Sequence, residues 1–152
     1  LAGVDLAVLA VKADAALDTA RGLAASIGAT PLLSVASALS FSQGAVYPDP
    51  AQRSLAERIQ EVVDGPVVAG LHSIAAANLL AAPPDEDTLV CGDDAAAKAL
   101  VLELADKLVA GRALDAGPLA SARTLEGLTA VIVNINRRYR AHAGIRVTGV
   151  DT

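Results

Sequence analysis

Hydrophobic positions along this chain fall into short unbroken runs that alternate with stretches of helical spacing. Val4 to Val11 is a nearly continuous apolar run interrupted only by Asp5, and such a run predicts a strand covered on both faces. From Asp14 to Ala25 the spacing changes: Leu17, Ala20, Leu23 and Ala24 recur at helical intervals, and Gly28 offers a C-terminal stop. Pro31 to Val35 predicts a second strand, completing a strand–helix–strand unit for which a right-handed parallel crossover is the default. Residues 37–52 carry Ser37, Ser40, Ser42, Gly44, Pro48 and Pro50 with no period, which predicts a long loop. Long loops in compact domains are more often functional than idle. Ser54 with Glu57 three residues later forms a capping-box pattern and opens a helix to about Val63.

The second half continues the alternation. Pro66 to Leu71 predicts a third strand with His72 at its C-terminal end, followed by a short Ala-rich helix and a polar turn from Pro83 to Asp87. Thr88 to Gly92 predicts another strand. Asp93 is expected to cap a helix from Asp94 to Val109 with Leu100, Leu104 and Leu108 along one face. Arg112 to Asp115 is one more short strand, and Pro118 opens a helix that runs to about Tyr139. Within that helix Leu128 to Ile135 is apolar nearly all round, which places it in a core or a subunit interface. The pattern is therefore α/β.

Composition narrows the core and the partners. At 152 residues the chain is one domain by size, and with hydrophobic residues at 53% but aromatics at 2% its core must be Ala, Val, Leu and Ile. A net charge of −5 argues against a nucleic-acid partner, since phosphate binding requires a basic surface. No apolar run approaches the roughly 18 residues of a bilayer span, so no membrane partner is expected. Cys91 stands alone, which excludes an internal disulfide and agrees with a cytoplasmic location. The chain opens at Leu1, without Met, almost directly into a strand, and it reads as a fragment or processed piece.

Few residues offer chemistry. His72 sits where ligands of open α/β sheets bind, beyond the carboxyl ends of the strands, although a structural histidine is the alternative reading. Cys91 has no histidine near it in sequence, and His72, Cys91 and His142 lack metal-ligand spacing. Asp93 and Asp94 suit a helix N-terminus, and Arg137 to Arg140 suit a helix C-terminus. Neither Gly-x-Ser-x-Gly nor Gly-x-Gly-x-x-Gly occurs anywhere in the sequence.

Four stretches, in order, resemble one family. They are Asp5 to Val11 with Leu17 to Arg21; Gly70 to Ala76; Val90 to Asp94 with Lys98; and Leu114 to Leu119 continuing through Arg123, Glu126 to Thr129 and Asn136 to Tyr139. Together they resemble the coenzyme F-420:NADP oxidoreductases, and His142 to Val147 looks like the bacterial branch. The resemblance implies the C-terminal part of a Rossmann-like dinucleotide-binding domain plus a small α/β C-terminal domain. Residues 1–72 would be the partial NADP-binding domain, the first stretch standing for its fourth strand and following helix. Residues 73–152 would form the deazaflavin cleft and dimerisation domain. The implied activity is hydride transfer between NADP(H) and coenzyme F-420, a reaction that needs two rings held face to face more than it needs acid–base groups.

Carried over by position, the resemblance implies Val11 and Leu17 along the nicotinamide side and Ser37 and Leu39 facing the deazaflavin. His72, Ser73, Ile74 and Ala76 would line the meeting point of the rings, with His72 a positioning group rather than a base. It also implies a homodimer through the C-terminal helix. Lys12-Ala13 stands where the family commonly has Pro-Trp, and Ala75 replaces a common Pro, so the ring pocket differs here. The family's glycine-rich turn would precede Leu1, and these residues alone are expected not to bind NADPH tightly. Two other readings remain: another NAD(P)-dependent dehydrogenase, and a non-catalytic binding or dimerisation module.

Overall fold

The computed structural model describes residues 3–80 and 82–150; Leu1 lies outside them. Five strands form one sheet: β1 (Ala7–Leu9), β2 (Leu32–Ser34), β5 (Val67–Gly70), β6 (Thr88–Gly92) and β7 (Ala113–Asp115), in the order β1-β2-β5-β6-β7. A two-stranded ribbon, β3 (Leu39–Ser42) with β4 (Ala45–Pro48), stands apart from it. Helices α1 (Ala13–Ile27), α2 (Leu55–Gln60), α3 (Ala95–Leu108) and α4 (Ala122–Tyr139) complete the fold. The architecture is the expected α/β, with a largely parallel, Rossmann-like sheet.

The apolar runs became strands because both of their faces are covered. All of β2 and β5 is buried. One face packs Leu32, Val67 and Ala69 against α1 and α2 through Ala16, Ala20, Leu55 and Ile59. The other packs Leu33, Val68 and Val90 against α3. At the edge, β1 is shorter than its Val4–Val11 run and leaves Val8 half exposed.

Several expectations are corrected. Residues 37–52 are not an open loop. Gln43 and Gly44 both take positive φ (49° and 78°), the geometry of a two-residue hairpin turn, and they pair β3 with β4. The serines and prolines concealed that alternation. The sheet is not wholly parallel, since β6 runs antiparallel to β5. Among the described residues between them the only regular element is a 3-10 turn, Ala76–Leu80, and no α-helix is there to carry a parallel crossover. The cap of α3 is Asp94, whose side chain accepts from the Ala97 amide, while Asp93 accepts from Leu119 at 2.9 Å. The fully buried face of α3 is Ala97, Val101 and Ala105, whose small side chains let the helix approach the sheet; of the expected leucines Leu104 packs half-buried beside them and Leu100 is exposed. In α4, Val131 and Ile135 are exposed, so that segment is not buried on every side.

The capping box forms as predicted: Ser54 Oγ accepts from the Glu57 amide at 3.1 Å, and Glu57 returns a carboxylate to the Ser54 amide at 2.8 Å. Ser54→Ala is expected to cost about 1 kcal/mol, read as a lower denaturation midpoint in urea.

Candidate functional site

The carboxyl ends of β1, β2 and β5 lie side by side, and the chain beyond them carries Val11, Ser37 and His72. Leu71 turns the chain out of β5 with φ of 64°, a left-handed conformation that costs a side-chain-bearing residue roughly 1–2 kcal/mol. Such strain persists only where the surroundings enforce it, and it tends to mark functional turns. The turn delivers His72 to Ser37.

Three short contacts define the cluster. Ser37 Oγ lies 3.3 Å from His72 Nδ1 and 2.8 Å from Thr129 Oγ1, and the Thr129 hydroxyl donates to the His72 carbonyl at 3.1 Å. One assignment satisfies all of them: Thr129 donates to the carbonyl, Ser37 donates to Thr129, and a protonated Nδ1 donates to Ser37. The imidazole is then the tautomer with a lone pair on Nε2. That atom is buried and has no hydrogen-bond partner among the described residues. Burial pulls the His72 pKa down to about 4, opposed by the Val35 backbone, so the ring is neutral at physiological pH. A neutral ring in this tautomer has a lone pair on Nε2 with which to accept a hydrogen bond.

Two cavities share Ala38 and Asp49 as a wall; Ser37, His72 and Thr129 line neither, although Ala38 and Leu128 are chain neighbours of Ser37 and Thr129. The first, about 340 Å³, lies between the start of α1, the hairpin and α2, with Leu17 and Leu39 facing it beside Asp14 and Arg58. The second, about 510 Å³, lies between the hairpin, the start of α2 and α4, with Arg53, Arg123, Glu126 and Val131 in its lining.

The structure thus joins Ser37 directly to His72 and puts Leu17 and Leu39 on one cleft wall. Ser73 is buried and Ile74 half-buried, its amide closing a turn onto Leu71 at 3.2 Å. Ala76 and Val11 are exposed. Cys91 belongs to the core: burial pushes its thiol up to about 12, so it is no nucleophile. Among the described residues no group of three or more His, Cys, Asp or Glu is placed to hold a metal ion, and no helix is long and apolar enough to cross a membrane.

Thr129 is the residue that sequence reasoning missed. It lies inside the stretch Glu126 to Thr129 that carried the resemblance, and a hydroxyl among the apolar positions of α4 was the available signal.

Known proteins share this arrangement of elements. A reductase of Methanocaldococcus jannaschii named F420-dependent NADP reductase is 36% identical over 106 residues, covering 67% of this chain and 48% of the relative. One from Methanothermobacter marburgensis with the same name is 39% identical over 87 residues, covering 55% of this chain and 39% of the relative. The chain is similar in sequence to these proteins named F420-dependent NADP reductase. It spans about half the length of these curated relatives. A crystal structure from Arthrobacter sp. FB24, provisionally named an F420-dependent NADP reductase, superposes with a TM-score of 0.84 at 28% identity, covering 97% of this chain and 71% of that one. A hypothetical protein of Sinorhizobium meliloti follows at a TM-score of 0.62 and 25% identity, covering 79% and 60%. No family model matches the chain.

Proposed function

We propose that the protein is the deazaflavin-side part of an oxidoreductase that moves a hydride between NADP(H) and coenzyme F-420. The observation that carries this reading is the Ser37–Thr129–His72 cluster at the carboxyl ends of the strands, in a chain similar in sequence to reductases bearing that name. The residues present suit a flat ring with imide and amide groups. The cleft offers apolar side chains at Leu17 and Leu39 beside charged Asp14 and Arg58, and the buried, unpartnered Nε2 of His72 lies outside its lining as an acceptor that a ring N–H would have to reach. When bound together, NADPH and the deazaflavin supply the hydride donor and acceptor. The chain's own part is to hold the rings and exclude water: His72 orients, Ser37 and Thr129 hold His72, and Ser73, Ile74 and Ala76 continue the wall.

Division near residue 72 is proposed as a functional one. Strand β1 ends the sheet with an unpaired edge and a half-exposed Val8, which suits the addition of a parallel strand from an NADP-binding half. Val11, at the end of that strand, would then face the nicotinamide. The stripe Val131, Ile135 and Tyr139 on α4 is exposed and apolar, which suits a homodimer; a monomeric mass by light scattering would remove that part of the reading. A cytoplasmic location fits the single buried thiol.

The deciding experiment is a calorimetric titration of the full-length protein with oxidised F-420, followed by NADPH addition while the deazaflavin absorbance is monitored. Binding of F-420 and bleaching on NADPH addition are expected. Absence of F-420 binding overturns the proposal. Bleaching absent but NADPH oxidised by a small carbonyl substrate would favour a different dehydrogenase.

A further inference from the structure

Glu126 is a buried carboxylate in α4, 3% exposed, one helical turn before Thr129. It accepts from the Leu55 amide at 3.0 Å and the Ala56 amide at 3.1 Å, the first two residues of α2. The Ala38 backbone also stabilises its charge, although burial raises the carboxyl above its ordinary range overall. The opening amides of a buried helix need partners. Ser54 and Glu57 satisfy their own ends of α2 locally, yet the partner for Leu55 and Ala56 comes from 71 and 70 residues away. A carboxylate is a costly choice for a buried cap.

Its neighbours explain the choice. Ala38 follows Ser37 directly, so two side chains one turn apart on α4 act on adjoining residues: Glu126 on Ala38 and Thr129 on Ser37. Farther along the same helix, Asn134 brackets Val46 of the hairpin, accepting from its amide at 2.9 Å and donating to its carbonyl at 2.7 Å. Glu126 and Asn134 therefore hold α4 at two points on either side of Thr129. These two attachments resist rotation and sliding of α4, and the Thr129 hydroxyl lies within reach of the Ser37 hydroxyl and the His72 carbonyl together.

We infer that Glu126 is a positioning residue for the His72 site, acting through α4 and Ala38 to hold Thr129 and Ser37 against the imidazole. Its meaning for deazaflavin binding rests on the function proposed above; its effect on the imidazole does not.

The test has one readout that is independent of any ligand. The His72 ring is titrated by NMR in the wild type and in Glu126→Gln, with exposed His142 as the second imidazole signal. An amide at position 126 keeps the shape but turns an N–H toward backbone donors, loosening the hold. The ring titration of His72 is expected to move up from about 4 toward 6.5 in the variant. If His72 titrates as in the wild type while the variant is folded, the inference is overturned. Should Glu126→Gln fail to fold, Glu126→Asp, which keeps the charge but withdraws it by one methylene, decides in the same way.

A second readout is F-420 affinity, expected to weaken on the order of tenfold in Glu126→Gln and in Thr129→Val, with the double variant no worse than the worse single one. Additive losses would mean that Glu126 acts on stability alone and overturn the inference. A wild type that does not bind F-420 removes the proposed function and leaves the His72 titration to decide Glu126.

Discussion

Replacing Asp87 with alanine is expected to lower stability by about 3 kcal/mol and to free residues 144–150 from the sheet. Asp87 is fully buried at the foot of β6. Its Oδ1 accepts from the Arg112 backbone amide at 2.9 Å and from Nε at 3.3 Å; its Oδ2 accepts from Nη2 at 2.8 Å and from the Val147 amide at 2.8 Å. The Arg112 guanidinium, then the Val147 amide, hold this carboxyl well below the usual carboxylate range. Arg112 reaches on to the carbonyls of Val147 and Val150, and the Asp87 amide donates to Ile145 at 2.8 Å. Breaking a buried pair by removing one partner costs about 3–5 kcal/mol, and the lower figure applies because Arg112 is 30% exposed and can rehydrate.

The measurement is urea denaturation at pH 7 together with amide exchange of residues 144–150. A loss well under about 1 kcal/mol, the scale of an exposed pair, would show that the tail holds by other means. The pH dependence has a definite sign. Asp87 is depressed in the folded state, so its contribution is present above the unfolded carboxyl pKa near ~4 and drains away as the pH falls below that value.

Periodicity reached the fold wherever an element's own residues decide it. Strands β2, β5 and β6 came from unbroken apolar runs, and Ser54 with Glu57 marked the start of α2 because a capping box is local chemistry. The failures are all cases where a distant part of the chain decides. Nothing near residues 39–48 announces that Asn134 will hold Val46, so the hairpin read as a loop. The orientation of β6 follows from what fills the 71–87 connection, and an Ala-rich segment reads as helix whether or not it forms one. The face of α3 was misassigned because leucine looks buried in any sequence, while close packing selected Ala97, Val101 and Ala105. At the site, strand order alone put His72 at a carboxyl end, and the resemblance added Ser37. Thr129 and Glu126 join them from 92 and 88 residues beyond Ser37 and Ala38, a meeting that only the folded chain displays.

Stability is expected to fall as the pH drops from about 6.5 to about 4, and His72→Gln is expected to abolish most of that fall. In the unfolded chain the imidazole takes its proton near 6.5; in the folded protein burial delays this to about 4. Between those values the unfolded state holds more protons, so stability rises with pH across the window and is complete above it. A shift of that size corresponds to at most about 3 kcal/mol, and because the residue is only half-buried, about 2 kcal/mol is the expected change. Asp87 titrates below this window, so the two effects separate on the pH axis. Glutamine cannot be protonated there, so the fall due to the imidazole should vanish; the Glu126 carboxyl, raised by burial, takes a proton more readily in the folded state and tilts the remaining curve the other way. A variant that declines as steeply as the wild type would assign the acid sensitivity to another group. The same neutrality bears on function: from pH 6 to 8 the proton count of His72 does not change, so any change in F-420 binding over that range must come from other groups. As the pH falls through about 4 the imidazole gains a proton on Nε2 and loses the acceptor offered to a ring N–H. Affinity for F-420 should then fall in the wild type, while His72→Gln, weaker throughout but still carrying an amide oxygen, should lose little more.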